Sequence, residues 1–397
     1  MNNSPKLFIS IGDFEICLIA GYNNDQNSFE FLEKLILPVI GITNKKISDL
    51  DKITKLIKKN ILIIEQKINY NFKSIIVILN NFEISFLNLC GYKKLNGTQI
   101  SKENITYILN SLKSCVVQIE ENKKILHIFN TEYCLDQKKL DNLPIGLFGD
   151  FYSHELSFNL INKNDYKNLE NIFRQCNLKI KKILLESFVK GTLINDVNQK
   201  IDTFFYIQIE ENNSKIFYVE NNAIKSEQKF NYGTGIVVND ICKITSLENS
   251  SVKKIISDNK NILKISDEEL LEEKYFNYQQ FRKIKKNLIA KIAEARINEL
   301  SEKLCFKNIN LTKSIKENNV IFLEIYDQQH FNCFNDVYKN SFALNSKYEV
   351  KIVKKPEIEK IIDKADNIAQ FGWKSEAIPV TKSKKSFVAQ LFDKIFN

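Results

Sequence analysis

The chain has 397 residues, 44% of them apolar and 11% aromatic, and a formal net charge of +9. That length and apolar content supply cores for two domains and exclude a disordered chain. The positive charge permits attraction to anionic lipid, nucleic acid or an acidic peptide, but no basic patch with interleaved aromatics marks a nucleic-acid reader, so no nucleic acid is expected as a partner.

In chain order, the first 21 residues, MNNSPKLFISIGDFEICLIAG, are interrupted by Asp13 and Glu15 and do not read as a signal peptide. Residues 6–11 and 14–22 are β-rich runs separated by Gly12 and Asp13, the pattern of a hairpin, and 35–42 add a third strand. A helix is expected over 47–67, where Leu50, Ile53, Leu56 and Ile57 recur at helical spacing. Strand patterns return in FKSIIVILN and FEISFLNLCGY from Phe72, and Ser101 is placed to cap a helix carrying Ile105, Ile108, Leu109 and Leu112. Segment 125–149, ILHIFNTEYCLDQKKLDNLPIGLFG, follows, with His127, Tyr133 and Asp136 ahead of the turn formers Pro144, Gly146 and Gly149. A strand at 156–161 closes a β-β-α-β-rich block, about 72–161, expected to be inserted in the first domain.

A helix at 165–176, an extended LKIKKILLES and a helix at 187–195 come next. At Ile201 the early pattern restarts: FFYIQI, the polar turn EENNS, KIFYVEN and AIKSEQKF, as expected of two related halves. The second half is helix-rich, with its longest helix expected over 277–306, a strand VIFLEI at 320–325 ahead of a helical stretch, and a last strand KYEVKIV at 347–353. Beyond Trp373 the polar composition, Pro379 and four lysines read as a linker over 374–385. The last 14 residues, KKSFVAQLFDKIFN, place Phe387, Val388, Leu391, Phe392, Ile395 and Phe396 on one half of a helical wheel, against Gln390, Asp393, Lys394 and Asn397 on the other. Lysines flank this phenylalanine-rich face, as in a helix lying in a membrane interface, and a terminal helix docked on the protein's own core fits the same pattern.

Eight single cysteines without a CxxC, and only three histidines, give no zinc spacing, so free thiols and no metal are expected. Eleven glycines are well under the usual share of roughly 7%, leaving few loops able to approach a ligand closely. No unbroken run of 18 apolar residues predicts a transmembrane helix.

Segment 125–149 resembles the insertion subdomain of the FtsA family of actin-like cell-division proteins. NLCGYKKLNGTQISKENI resembles the first part of the same insertion, with Asn104 where an aspartate is usual. NYGTGIVVNDIC, 231–242, resembles the stretch after the family's second hairpin, matching at Gly233 and Asp240 and departing at Thr234 and Val238. KIAEARINEL, 291–300, resembles the arginine-bearing helix of the last subdomain, with Arg296 at the arginine. The resemblance implies an α/β, actin-like (ribonuclease H-like) two-domain fold with an inserted α+β subdomain in the first domain. Its parts are a first subdomain at 1–71 and 162–200, the insertion at 72–161, a second domain at 201–373, the linker at 374–385 and an amphipathic membrane-targeting helix at 386–397.

It also implies partners. The C-terminal tail of the tubulin-like protein FtsZ is expected at Arg282 and Arg296, on a basic stretch that also reads as an ordinary solvated face. Membrane lipid is expected at Lys384, Lys385, Phe387, Val388, Leu391, Phe392, Lys394, Ile395 and Phe396, later division proteins at the insertion, and self-association into filaments. The implied location is the cytoplasmic face of the bacterial inner membrane at the division site.

In actin-like ATPases two hairpin turns cradle the phosphates through backbone N–H groups at small residues, each turn beginning with an aspartate. Here the first turn is Ser10-Ile11-Gly12-Asp13-Phe14-Glu15 and the second Gln208-Ile209-Glu210-Glu211-Asn212-Asn213, while VIFLEIYDQQ, at the place of the adenosine loop, has no glycine. A like-charge pair at 4 Å costs about 4 kcal/mol at an effective dielectric near 20, so two glutamates facing a polyphosphate are unfavourable. Gly12 and Gly233 remain as vestigial nucleotide contacts, no catalytic residue is expected, and ATP with magnesium enters only through the resemblance. The expected work is tethering FtsZ filaments to the membrane and recruiting later division proteins. A working ATPase with unfamiliar loops, and an actin-like scaffold of pilus or secretion assembly, are the alternatives.

Overall fold

The computed structural model describes residues 4–24, 28–80, 82–198, 201–259, 262–264, 266, 268–277, 279–308, 320–326, 331–343 and 347–377. The chain divides into two compact units, one of residues 1–200, 220–226 and 356–397, the other of 201–219 and 227–355.

In the first unit, β1 (Lys6–Ile11) and β2 (Glu15–Asn23) form the expected hairpin, and β3 (Phe29–Pro38) extends it. This third strand begins earlier than 35–42, because the alternating 29–34 stretch continues the pairing with β2. A two-residue-strand hairpin, β4 (Ile42–Thr43) and β5 (Lys46–Ile47), leads to α1 (Leu50–Ile68). Asp49 caps α1 by accepting from the Lys52 N–H, Asn69 ends it in the left-handed conformation, and Ile53, Ile57, Ile61 and Ile64 form its buried stripe.

β6 (Ser74–Leu79) is a continuous apolar run, and its place is inside the main sheet: it runs parallel to β1 on one side and to the edge strand β11 (Lys179–Leu185) on the other. The sheet order is β11-β6-β1-β2-β3. The insertion therefore starts after β6, not at residue 72. Its own antiparallel sheet, β7-β10-β8-β9, is built from β7 (Ile84–Lys94), β8 (Lys123–Leu135), β9 (Lys138–Leu140) and β10 (Phe151–Asn162), with α2 (Lys102–Ile119) packed on it. Ser101 caps α2 in a reciprocal capping box with Asn104. Gly91 lets the helix close on β7, since a Cβ there would run into Ile108.

The turn-rich end of 125–149 is structural. Asp136, at φ +49°, accepts from the N–H groups of Asp150 (2.9 Å) and Phe151 (2.8 Å) through one carboxylate oxygen, closing the loop that follows β9. α3 (Lys163–Gln175) and α4 (Glu186–Val197) complete the sequential part of the unit.

The second unit repeats the arrangement. β12 (Phe204–Ile209) pairs antiparallel with β13 (Ser214–Glu220), β14 (Ala223–Phe230) flanks β13, and β15 (Val320–Ile325) and β16 (Glu349–Val353) run parallel on the other side, in the order β14-β13-β12-β15-β16. Each main sheet thus has a hairpin beside two parallel strands entered by crossovers, as the repeated pattern predicts. One core of β12, β13 and β15 residues with α5 (Gly235–Thr245), α6 (Asn249–Asp258), α7 (Lys286–Ser301) and α8 (Asn335–Ala343) fills this unit.

The long helix expected over 277–306 begins only at Lys286. The polar stretch before it is irregular: its Ile284 carbonyl accepts from the Leu271 N–H, Lys286 at the helix start donates to the Glu269 carbonyl, and the helix ends in a π turn at Glu302–Phe306. The last helix, α9 (Ile358–Phe371), groups with the first unit instead of completing a second domain ending at 373. Its Asp366 pairs with Lys6 at 2.8 Å, and Asp363 accepts from the Phe29 N–H at 3.1 Å. Among the described residues, no helix is long and apolar enough to cross a membrane and no group of His, Cys, Asp or Glu has a metal-binding arrangement.

Candidate functional site

The first turn joins β1 to β2. Gly12 donates to the Glu15 carbonyl at 3.0 Å, which tightens the turn, and Phe14 at its tip is 73% exposed. Ser10 is buried in β1 opposite Cys17. The Cys17 thiol is pushed up to about 12 by burial and by the Glu15 carboxylate, with Glu186 adding to the effect. Glu186 is itself paired with Lys190 at 2.9 Å.

The second turn joins β12 to β13 and is closed by its own chain. Glu210 donates to the Asn213 carbonyl, while the N–H groups of Thr234 and Gly235 donate to the carbonyls of Glu210 and Glu211, each at 2.8 Å. Gly233 is needed for that approach, because a Cβ would collide with the Glu210 carbonyl oxygen. The N–H groups entering α5 are therefore spent on the turn. The Glu210 carboxylate lies 3.8 Å from buried Lys215, and Glu211 pairs with Lys253 at 2.9 Å.

Gln208, where the family has an acid, faces Lys215 on β13 and Glu324 on β15 across the ladder. Its amide donates to Glu324 at 3.1 Å and to the Tyr206 hydroxyl at 3.0 Å, and Tyr206 donates to Glu324 in turn. All four side chains are buried. A polar layer on adjacent strands closes on itself at this position, with the Glu324 carboxylate engaged by Tyr206 and Gln208.

Arg296 lies on α7, partly buried, with its guanidinium bonded to Asp240 of α5 and to Glu299 one turn on. Arg282 precedes the helix and donates to the Ser246 carbonyl at 3.0 Å. Lys286, next along this basic stretch, is buried against Glu269 at 2.6 Å. The two arginines expected to face a peptide thus hold internal bonds, and only the guanidinium donors left over can meet a new carboxylate. The expected membrane residues, from Lys384 to Phe396, lie outside the described residues.

One cluster escaped sequence reasoning. Residues 374–377, read as the start of a linker, form with Trp373 a strap pinned to the first unit: Asn130 donates to the Ser375 carbonyl, Ala377 to the Ile128 carbonyl, and the Trp373 indole to the Asn222 carbonyl. Glu376, buried, takes His127 Nδ1 at 3.0 Å and Lys182 Nζ at 3.1 Å. Burial alone would raise the Glu376 carboxyl, but His127 and Lys182 more than offset it and hold it low. Burial lowers both Lys182 and His127, opposed in each case by Glu376. The arrangement is a Lys182–Glu376 ion pair with a neutral His127 donating from Nδ1. The sequence signal was slight: His127 sits in an apolar part of β8, and Lys182 stands beside Lys179 and Lys181 in β11 with nothing to set it apart.

No family model matches the chain. It is 23% identical over 303 residues to the cell division protein FtsA of Buchnera aphidicola subsp. Schizaphis graminum, covering 75% of this chain and 72% of that protein. To FtsA of Escherichia coli K12 it is 18% identical over 314 residues, covering 79% and 74%. Among solved structures, a chain of the PilM–PilN type IV pilus biogenesis complex superposes with a TM-score of 0.54 at 9% identity, covering 93% of this chain and 99% of that one. At that identity the match speaks for fold alone. With the paired sheets and the insertion, these findings make the chain an actin-like protein and a divergent sequence relative of FtsA.

Proposed function

We propose that this chain is a cell-division scaffold that holds FtsZ filaments at the cytoplasmic face of the membrane without turning over ATP. The amphipathic segment 386–397 is its anchor, the insertion its surface for later division proteins, and self-association its means of multiplying weak attachments. The observation that carries the nucleotide-independent part is the second turn: the N–H groups of Thr234 and Gly235 close on its Glu210 and Glu211 carbonyls, and Gln208 is bonded to Tyr206 and Glu324. Tethering needs no chemical step, so that closure is compatible with the scaffold role.

A 12-residue amphipathic helix is marginal in water and forms chiefly on lipid, so one tail binds reversibly. Several tails on one filament raise the effective concentration and make attachment stable. The test is recruitment of a fluorescent FtsZ tail peptide to anionic vesicles by the full chain in nucleotide-free buffer. Recruitment is expected, falling at least about tenfold for Arg296→Glu, which loses the charge-assisted bond to a peptide carboxylate. An unaltered dissociation constant for Arg296→Glu removes that residue from the site, and no recruitment by the unmodified chain overturns the tether.

A further inference from the structure

The end of the described chain is directed at a basic face on the body. The bridge between Phe129 and Glu376 is antiparallel, so the described chain, at its last residue Ala377, is running in the direction of the start of β8, at Lys123 and Lys124. That end of β8 abuts α3: Lys163 donates to the Asn122 carbonyl at 2.8 Å, and Lys124 lies 3.4 Å from the centre of the Tyr166 ring. α3 packs beside α1, whose Lys58 acts electrostatically on Cys176 at the end of α3.

On the solvent side of these two helices stand Lys55, Lys58 and Lys59 of α1 and Lys163, Lys167 and Arg174 of α3, all exposed. None of the five lysines has an ion-pair partner among the described residues. The exposed acids of the two helices are only Asp51 and Glu170, and exposed Leu62 sits one turn beyond Lys58.

We propose that the α1–α3 face is a second, electrostatic lipid-binding surface, pressed on the same anionic bilayer as the tail. It rests on the tail anchor of the proposed function. Two physical facts support it. Eight residues, 378–385, separate the strap from the amphipathic segment, which limits their separation to about 28 Å even when fully extended. A bilayer holding that segment therefore lies near the face toward which the strap points. A single weak anchor is also marginal, and a polybasic surface is the usual second signal, gaining about fivefold in partitioning per lysine near an anionic leaflet.

The test uses full-length chain and vesicles of phosphatidylcholine with or without phosphatidylglycerol, at low and high salt. The combined variant Lys55→Glu, Lys58→Glu, Lys59→Glu is expected to lower partitioning to anionic vesicles about a hundredfold at low salt. The difference should shrink at high salt as the Debye length contracts. Lys→Arg at the same positions should bind as the unmodified chain does, with unchanged thermal unfolding in both variants. Phe392→Glu tests the tail separately: it should abolish binding to neutral vesicles and leave a weak, salt-sensitive association with anionic ones. If the charge-reversed chain partitions normally while Phe392→Glu releases it, the second surface is overturned and the tail anchor stands. If Phe392→Glu leaves all binding intact, the anchor fails and this inference with it. Normal lipid partitioning of the charge-reversed chain, with a lost affinity for an oligonucleotide, would assign the face to nucleic acid and overturn the lipid reading.

Discussion

Two buried polar clusters, one in each unit, do opposite things with charge. Around Glu376 the partners come from residues 127, 182 and 376, so the ion pair staples distant parts of the chain and fixes where the tail departs. Around Gln208 the side-chain partners Tyr206 and Glu324 stand on the same and the adjacent strand, and the turn that follows is closed separately by backbone N–H groups of Thr234 and Gly235. The first cluster creates an attachment; the second occupies the groups an anion would need. The contrast teaches that buried polarity in this fold need not mark a ligand site, and that its connectivity distinguishes a staple from a closed turn.

The largest expected effect breaks the staple. Glu376→Ala leaves Lys182 buried without its counter-charge and should cost about 3–5 kcal/mol of unfolding free energy in urea. Amide exchange at Asn130 and Ala377 should accelerate, and Lys182→Met in the same chain should recover much of the loss. An unchanged midpoint would mean that the strap contributes nothing to the unit.

A second effect, through pH, separates the staple from its surroundings. His154, in the insertion, is pulled down to about 4 by burial. The unfolded chain therefore takes up this proton near pH 6.5 while the folded one does not. The contribution is fully present above 6.5 and is lost as pH falls to about 4, a swing of about 3 kcal/mol. His154→Gln should flatten that slope in denaturation series between pH 7 and 4.5. Glu376, held low, begins to lose its contribution only as pH falls through the ordinary glutamate range, and His127, also lowered by burial, keeps part of the slope when His154 is replaced.

In the second unit, Gly233→Ala should cost about 1–3 kcal/mol by forcing the Glu210 carbonyl away from its place in the turn, read as a lowered urea midpoint. A neutral result would show the turn to be open and reverse the contrast drawn above. The smallest effect is a control inside the insertion: Ser101→Ala removes the α2 cap and should cost about 1 kcal/mol without touching either cluster.

Local signals made much of the fold legible. Hairpins with polar turns, the Ser101 cap and the isoleucine stripe of α1 all appear where alternation or helical spacing places them. What escaped is non-local. An apolar run such as SIIVIL shows that β6 is buried but not that it pairs with β1 and β11, and so the edge of the insertion was misplaced. The basic stretch before Lys286 has helical composition but is held by bonds from Ile284 to Leu271 and from Lys286 to Glu269 that spacing does not reveal. Glu376 was hidden by its polar neighbours, since its partners lie 249 and 194 residues away. At the site, substitutions at Gln208, Glu210 and Glu211 were readable as departures from a phosphate turn, whereas the closure of that turn by Thr234 and Gly235 needed coordinates.

Nucleotide-dependent stability tests the central claim most directly. A nucleotide present at 100 times its dissociation constant stabilises a folded protein by about 2.7 kcal/mol. Thermal unfolding of the full chain should therefore be unchanged by millimolar ATP with magnesium. A saturable rise in Tm with ATP and magnesium, abolished by EDTA, would show a working nucleotide site and contradict the account.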